Sequence, residues 1–218
     1  MAEINLLDKY PQSKRPVDER GEIISEELKE VARQYGKDYF DGDRIYGYGG
    51  YNYHPRFWTD TVKRFRDHYG LGDEVRILDV GCAKGFMMHD FQLLMPGAEI
   101  QGIDISDYAL AHAKDEMRPN IRIADCRDIP WEDNYFDLVI CINTVHNLPN
   151  EGCKRALSEI ERVSGGGSFI TVDAWRNEEE KDRLLRWMLT AYTYMHVDDW
   201  KEYFAEAGYT GDYSWFIP

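Results

Sequence analysis

Apolar residues along this chain fall into two rhythms that alternate from residue 73 onward. Short apolar runs at 75–80, 100–104, 121–124, 136–142 and 168–172 predict five strands. Between them, apolar side chains spaced three and four apart predict helices over 86–95, 107–117 and 152–163. Strands that alternate with helices imply a doubly wound, mostly parallel sheet with helices on both faces, an α/β architecture. The run at 136–142 is apolar throughout after Asp137, which places it at the sheet centre, buried from both sides. Farther on, 178–192 predicts a helix with Leu184, Leu185, Met188 and Leu189 inward, 200–207 another helix stopped by Gly208, and 213–217 a last strand. Right-handed crossovers put the carboxyl ends of the strands, and the loops that follow them, on one edge.

The first third of the chain has a different texture. Residues 1–20 are polar, with Pro11 and Pro16, and predict an irregular arm. Leu28, Val31, Ala32 and Tyr35 follow helical spacing over 25–35, with Ser25 at the start and Gly36 as the stop. Residues 41–58 are too glycine-rich for a helix and too aromatic for a linker. Helical spacing resumes over 59–69 through Val62 and Phe65, and ends at Gly70 and Gly72. The expected division is an N-terminal cap or lid over 1–72, with helices and an aromatic glycine-rich loop, and an α/β domain over 73–218.

Composition narrows the partners. At 218 residues the chain fits one domain with an embellishment. Its net charge of −14 is unevenly placed: residues 1–72 hold 12 basic and 13 acidic side chains, and residues 73–218 hold 14 and 27. So negative a surface repels phosphate backbones, and nucleic acid is not expected as a partner. Cys82, Cys126, Cys141 and Cys153 form no C-x-x-C pair and have no histidines at zinc spacing, so no metal is expected. As small apolar fillers they suit a reducing compartment. The N-terminus meets Lys9, Lys14 and Arg15 without an apolar segment, and no stretch is long enough to span a membrane. A soluble cytoplasmic protein is expected.

The chemistry is carried by two strand ends. Residues 77–85 read Ile77-Leu78-Asp79-Val80-Gly81-Cys82-Ala83-Lys84-Gly85, an apolar strand entering a glycine turn. Gly81 and Gly85 let the backbone turn sharply and come close to a ligand. Nineteen residues beyond Gly85, Asp104 ends a second strand, where a carboxylate can accept from both hydroxyls of a ribose. The spacing is G-x-x-x-G rather than G-x-G-x-x-G, and no phosphate-cradling loop is present, so NAD and ATP fall behind. These residues resemble the first motif of class I (Rossmann-like) S-adenosylmethionine-dependent methyltransferases of the small-molecule type, with Ala83 where that family often has glycine. The resemblance covers about residues 73–218 and implies S-adenosylmethionine as cofactor and an antiparallel C-terminal hairpin closing the sheet. It also implies cofactor contacts from Asp79, Gly81, Cys82, Ala83, Gly85, Asp104, Ile105 and Asn143. Asp79 would organise the loop around the methionine part, Asp125 would accept from the adenine amino group, and the Cys126 amide would bind the neighbouring ring nitrogen. The loop after the fourth strand lacks the Asn-Pro-Pro-Tyr tetrad of adenine and glutamine N-methyltransferases. It does hold His146, whose unperturbed pKa near ~6.5 suits a general base, or which packs against the next helix.

The aromatic segment supplies the expected acceptor site: Tyr46, Tyr48, Tyr51, His54 and Arg56, with glycines that let a lid move. Arg44 and Arg56, if inward, would favour an anionic acceptor such as a nucleotide-linked sugar. Tyr192, Tyr194 and His196 are candidates for the same cavity. The resulting expectation is O- or N-methylation of a small polar molecule, with a homodimer as a possible assembly. The alternative is a catalytically inactive cofactor-binding subunit whose aromatic segment docks a protein partner.

Overall fold

Seven strands pair side by side in a single direction in the computed structural model, which describes residues 1–11 and 15–218. They are β1 (Arg76–Val80), β2 (Glu99–Asp104), β3 (Ile121–Ile123), β4 (Phe136–Ile142), β5 (Ser164–Trp175), β6 (Met195–His196) and β7 (Asp212–Phe216). The order is β3-β2-β1-β4-β5, with β7 and then β6 following one another along the outer edge of β5. The helices are α1 (Val17–Ile23), α2 (Glu26–Ala32), α3 (Lys37–Asp41), α4 (Pro55–Tyr69), α5 (Phe86–Leu94), α6 (Asp107–Ala111), α7 (Asn150–Val163), α8 (Glu178–Trp187) and α9 (Val197–Ala207).

Period-two alternation along the central strands divides the core. Leu78, Val139, Cys141, Ile170 and Val172 pack with Leu157 and Ile160 of α7 and Trp200 and Phe204 of α9. Ile77, Leu138, Ile140 and Phe169 pack with Met88 and Phe91 of α5, Val62 and Phe65 of α4, and Leu6. Leu6 has no exposed surface. The N-terminal arm therefore belongs to the second face. It also covers the edge of β7: Ile4 N donates to Tyr213 O at 2.9 Å, and Tyr213 N donates to Ala2 O at 3.0 Å. Of the arm expected over 1–20, residues 12–14 lie outside the described residues.

The antiparallel hairpin expected at the C-terminus is not formed: β6 and β7 both run parallel to β5. The reason is the connection. β6 is two residues long and leads straight into α9, which recrosses the sheet and stops at Gly208 in a left-handed conformation, φ 72°. A strand entered after such a crossover re-enters in the direction of its neighbour.

Tertiary bonds reset several helix ends. The helix expected over 107–117 stops at Ala111, and Lys114 N farther on bonds to Lys84 O at 3.0 Å. The one expected over 178–192 stops at Trp187; Leu189 N bonds to the Tyr48 hydroxyl at 2.6 Å, and Leu185 is 39% exposed rather than inward. α4 starts a turn earlier than expected, with Pro55 first and the His54 ring accepting from Arg56 N at 3.2 Å. α3 takes in Asp41, the first residue of the segment read as non-helical.

Candidate functional site

At the carboxyl ends of β1, β2 and β4, where the chain leaves β1 in opposite directions across the sheet, lies a cavity of about 400 Å³. A crevice at such a switch point is where open α/β sheets bind ligands. Its floor is the turn after β1. Gly81, Ala83 and Gly85 all take left-handed backbone, with φ of 78°, 50° and 72°. The turn is pinned to β2, since Gly81 N and Cys82 N both donate to Ile103 O, at 2.8 and 3.0 Å. A Cβ on Gly81 would lie 2.1 Å from the Thr144 hydroxyl, so only glycine lets β1 and the loop after β4 meet.

Two carboxyls, Asp79 and Asp104, line this floor. Asp104 accepts from Ala83 N at 2.8 Å through one oxygen and from Ser106 N at 2.9 Å through the other. Burial raises its pKa while those amides pull it back. Asp79 is 5% exposed, and its pKa is pushed up to about 8, by burial first and then by the charge on Asp104. Near neutral pH Asp79 therefore holds a proton that a cationic ligand would displace. Farther along, Arg127 forks onto Asp125, with Nε 3.0 Å from each oxygen, and holds that carboxyl below the usual range. Burial drives the Cys126 thiol up to about 12, so this residue offers backbone rather than thiolate. Asn143 closes β4 with a left-handed φ of 53°; its amide oxygen accepts from the Thr171 hydroxyl at 2.7 Å, and its carbonyl accepts from Asn147 Nδ2 at 3.1 Å.

The N-terminal segments roof the cavity with Tyr10, Tyr35, Tyr39, Phe40, Tyr48 and Trp58. Tyr39 touches Tyr35 and Tyr48 edge-on, with centroids 5.3 and 6.1 Å away. Arg20, 6% exposed, props this roof from behind: its Nη2 donates to Arg44 O and Gly47 O at 2.8 and 2.9 Å, and its guanidinium stacks 4.3 Å from the Trp187 ring.

Of the residues singled out from the sequence, Asp79, Gly81, Cys82, Ala83, Asp104, Ile105, Asp125, Cys126, Asn143 and Tyr48 line the cavity together. Gly85, Tyr46, Tyr51, His54, Arg56 and His146 are not among the described residues that line it. Gly85 instead starts α5, facing Ile121 and Met117. Tyr51 offers its carbonyl to Lys84, His54 caps α4, and the exposed Arg56 lies 4.7 Å over the Phe57 ring. Arg44 donates back to Tyr48 O at 2.6 Å. His146 is 3% exposed: its Nδ1 accepts from Asp173 N at 3.1 Å, its Nε2 sits 3.6 Å from the Asp173 carboxylate, and burial lowers its pKa. Its carbonyl accepts from Tyr192 N and Thr193 N, so it ties three segments together behind the cavity wall. Tyr192 is half exposed beneath Arg33, Tyr194 packs by Trp175, and His196 caps α9. Sequence reasoning missed Tyr10, Tyr35, Tyr39, Phe40, Trp58, Lys84 and Asn147 in the wall; the clustered aromatics at 35, 39 and 40, on either side of Gly36, were the available signal.

Among the described residues, no helix is long and apolar enough to cross a membrane, and no group of three or more His, Cys, Asp or Glu is placed to hold a metal.

A family model described as a methyltransferase domain matches residues 77–167. The chain is 30% identical over 126 residues to the tRNA (carboxymethyluridine(34)-5-O)-methyltransferase of Arabidopsis thaliana, covering 57% of this chain and 30% of that protein. It is 30% identical over 129 residues to a malonyl-[acyl-carrier protein] O-methyltransferase of Legionella pneumophila, covering 57% and 44%. The chain thus spans less than half the length of these two relatives. A solved geranyl diphosphate methyltransferase in complex with SAM superposes with a TM-score of 0.57 at 14% identity, over 70% of this chain and 65% of that one, a likeness of fold.

Proposed function

We propose that residues 77–167, which match a methyltransferase domain, form a Rossmann-like S-adenosylmethionine-dependent methyltransferase domain, and that this chain methylates an oxygen or nitrogen of a small organic acceptor. The observation that carries the reading is the pair Asp79 and Asp104 facing one cavity across a glycine turn. The donor set fits the cofactor. Asp104 keeps lone pairs beyond the two amides it accepts from, enough for a ribose diol. A proton-holding Asp79 is ready to exchange that proton for a cationic ligand. Gly81 leaves bare main chain where any Cβ would collide with Thr144. S-adenosylmethionine supplies an electrophilic methyl carbon when bound. The chain's own residues then bind, align and exclude water, which can supply roughly 7–11 kcal/mol without a strong base. We assign no proton transfer to His146, because its Nδ1 is committed to Asp173 N and the ring lies behind the wall.

The wall favours an uncharged or cationic acceptor over the phosphate or carboxylate expected from Arg44 and Arg56. Those arginines are turned to Tyr48 O and to the Phe57 ring. The cations that do line the cavity, Lys84 and Arg127, are spent on Asp41 and Asp125. Six aromatic rings in the roof suit an apolar or aromatic scaffold or an amine. Four buried thiols accord with a cytoplasmic enzyme, and residues 1–72 act as its cap.

The test is calorimetric titration with S-adenosylmethionine, S-adenosylhomocysteine and NAD. Binding of the first two alone is expected, and Asp104→Ala should weaken it by about tenfold or more, the loss of one or two charge-assisted bonds. Unchanged affinity in the variant removes the ribose assignment. Turnover of methyl-labelled cofactor in a metabolite extract then separates an enzyme from an inactive binding subunit.

A further inference from the structure

Lys84 stands in the middle of the glycine turn, and from the cavity wall its side chain reaches toward the N-terminal cap. It is 5% exposed and runs upward into the N-terminal cap, where its ammonium donates to the Asp41 carboxylate and, at 2.8 Å, to the Tyr51 carbonyl. The other Asp41 oxygen accepts from the Tyr108 hydroxyl at 2.9 Å. Burial alone would raise the Asp41 pKa, but hydrogen bonds from Lys84 and Tyr108 outweigh it and keep the carboxyl charged. Close by, the Ser106 hydroxyl donates to Tyr35 O at 2.6 Å. Three cap residues, Tyr35, Asp41 and Tyr51, are thus held by Lys84 and Ser106 of the loops after β1 and β2 and by Tyr108 of α6.

The turn after β1 is joined to the end of β2 by Gly81 N and Cys82 N, which donate to Ile103 O, and by Ala83 N, which donates to the Asp104 carboxylate. Lys84 follows Ala83 directly, and Ser106, whose amide also bonds Asp104, carries the other clip. Any ligand that engages Asp104 and the turn therefore acts on the same backbone that carries both clips. A buried ammonium separated from its carboxylate is costly, so the pair favours one arrangement, cap down and turn in register.

Resting on the cofactor reading above, we propose that Lys84 and Asp41 are a positioning pair that couples occupancy of the cofactor site to closure of residues 37–53 over it. Coupling of this kind is reciprocal: a closed cap tightens cofactor binding, and bound cofactor holds the cap. The pair contacts neither reacting atom. It sets the geometry in which the aromatic roof meets the bound cofactor.

The experiment titrates S-adenosylhomocysteine into wild type, Lys84→Met, Asp41→Asn and the double variant, and follows hydrogen exchange over residues 37–53 with and without it. Each single variant should weaken binding about tenfold, within the ~5–150-fold range of site-to-site coupling. The double variant should be no weaker than the worse single, because the two side chains act as one unit. Ligand should slow exchange over 37–53 in wild type and not in Lys84→Met, while Lys84→Arg, which keeps the charge, retains most of the protection. Melting temperatures establish that each variant folds, and Asp41→Asn alone suffices if Lys84→Met does not. Wild-type affinity and exchange in the folded variants overturn the proposal while leaving the cofactor reading intact. A wild type that binds no S-adenosylhomocysteine overturns both.

Discussion

Two carboxyls at adjacent strand ends cannot both ionise freely where one of them, Asp79, is buried, and here the asymmetry between them is explicit. Asp104 has two backbone amides to stabilise its charge, whereas Asp79 is pushed up to about 8 by burial and by the Asp104 charge. With the folded pKa raised, the folded state binds more protons than the unfolded one between about pH 4 and 8. The contribution of Asp79 to stability is complete below the unfolded value and is lost as pH rises through about 8. Affinity for a cationic cofactor has the opposite slope, because binding displaces the proton. It should rise from pH 6 to 8 by at most about tenfold per unit and level off above. Calorimetry across that range tests this, and Asp79→Asn should give a flat profile; a flat profile in wild type would sink the assignment. His146 makes a complementary case. Its replacement by alanine strips Asp173 N of its acceptor in a buried setting and should cost about 1–3 kcal/mol of stability by urea unfolding. S-adenosylhomocysteine affinity should stay within about twofold, since the ring lies outside the wall. Distance along the sequence from the end of β4 does not reveal this. In a tight turn the phase of a single residue decides whether a side chain joins Asn143 and Asn147 in front or Val145 behind.

Elements were legible where a local pattern decides them, and illegible where a distant contact does. β1 and β4 follow from apolar runs because burial on both faces leaves no other option, and together with the half-buried β2 their ends locate Asp79, Asp104 and Asn143. The ends of α6 and α8 do not, because the backbone beyond them bonds to Lys84 O and to Tyr48, residues remote in the chain. The direction of β7 was hidden for the same reason: a two-residue β6 gives no local signal that the chain turns straight into α9. Within the glycine turn, element geometry gives a sharp contrast between two glycines that both have positive φ. Gly81→Ala places a methyl 2.1 Å from the Thr144 hydroxyl and adds the left-handed penalty of roughly 1–2 kcal/mol. It should separate the turn from the loop after β4 and lower cofactor affinity by more than about tenfold. Gly50→Ala, with φ 80° and nothing within 4 Å of the added atom, carries the penalty alone. Affinities and melting temperatures of the two variants, read side by side, distinguish a steric cradle from general backbone strain; equal losses would refute the cradle.

At the scale of the molecule, the N-terminal third is built into the same core as the sheet it covers. Leu6, Val62 and Phe65 pack with Ile77, Leu138 and Phe169, so a division at residue 72 follows the order of the chain and cuts through one hydrophobic cluster. Composition obscured this, because a polar, proline-containing stretch reads as an arm when, among its described residues, only Leu6 is wholly buried. That one leucine carries a disproportionate share. Leu6→Ala leaves a cavity between α4 and the sheet and should cost about 2–5 kcal/mol. The residues just before Leu6 form the strap that pairs Ala2 and Ile4 with Tyr213, the covering of an otherwise open β7 edge. Two consequences are separable by experiment. Urea unfolding should show the lost stability with an unchanged slope, because the unfolded surface is the same. Light scattering should show concentration-dependent association in a variant lacking residues 1–5, where the edge is bared, and little in Leu6→Ala alone if the strap still holds. If the deletion stays monodisperse and both variants unfold at the wild-type urea midpoint, the arm is a passenger; a loss confined to the deletion assigns its role to edge protection, and a loss in both assigns it to the core.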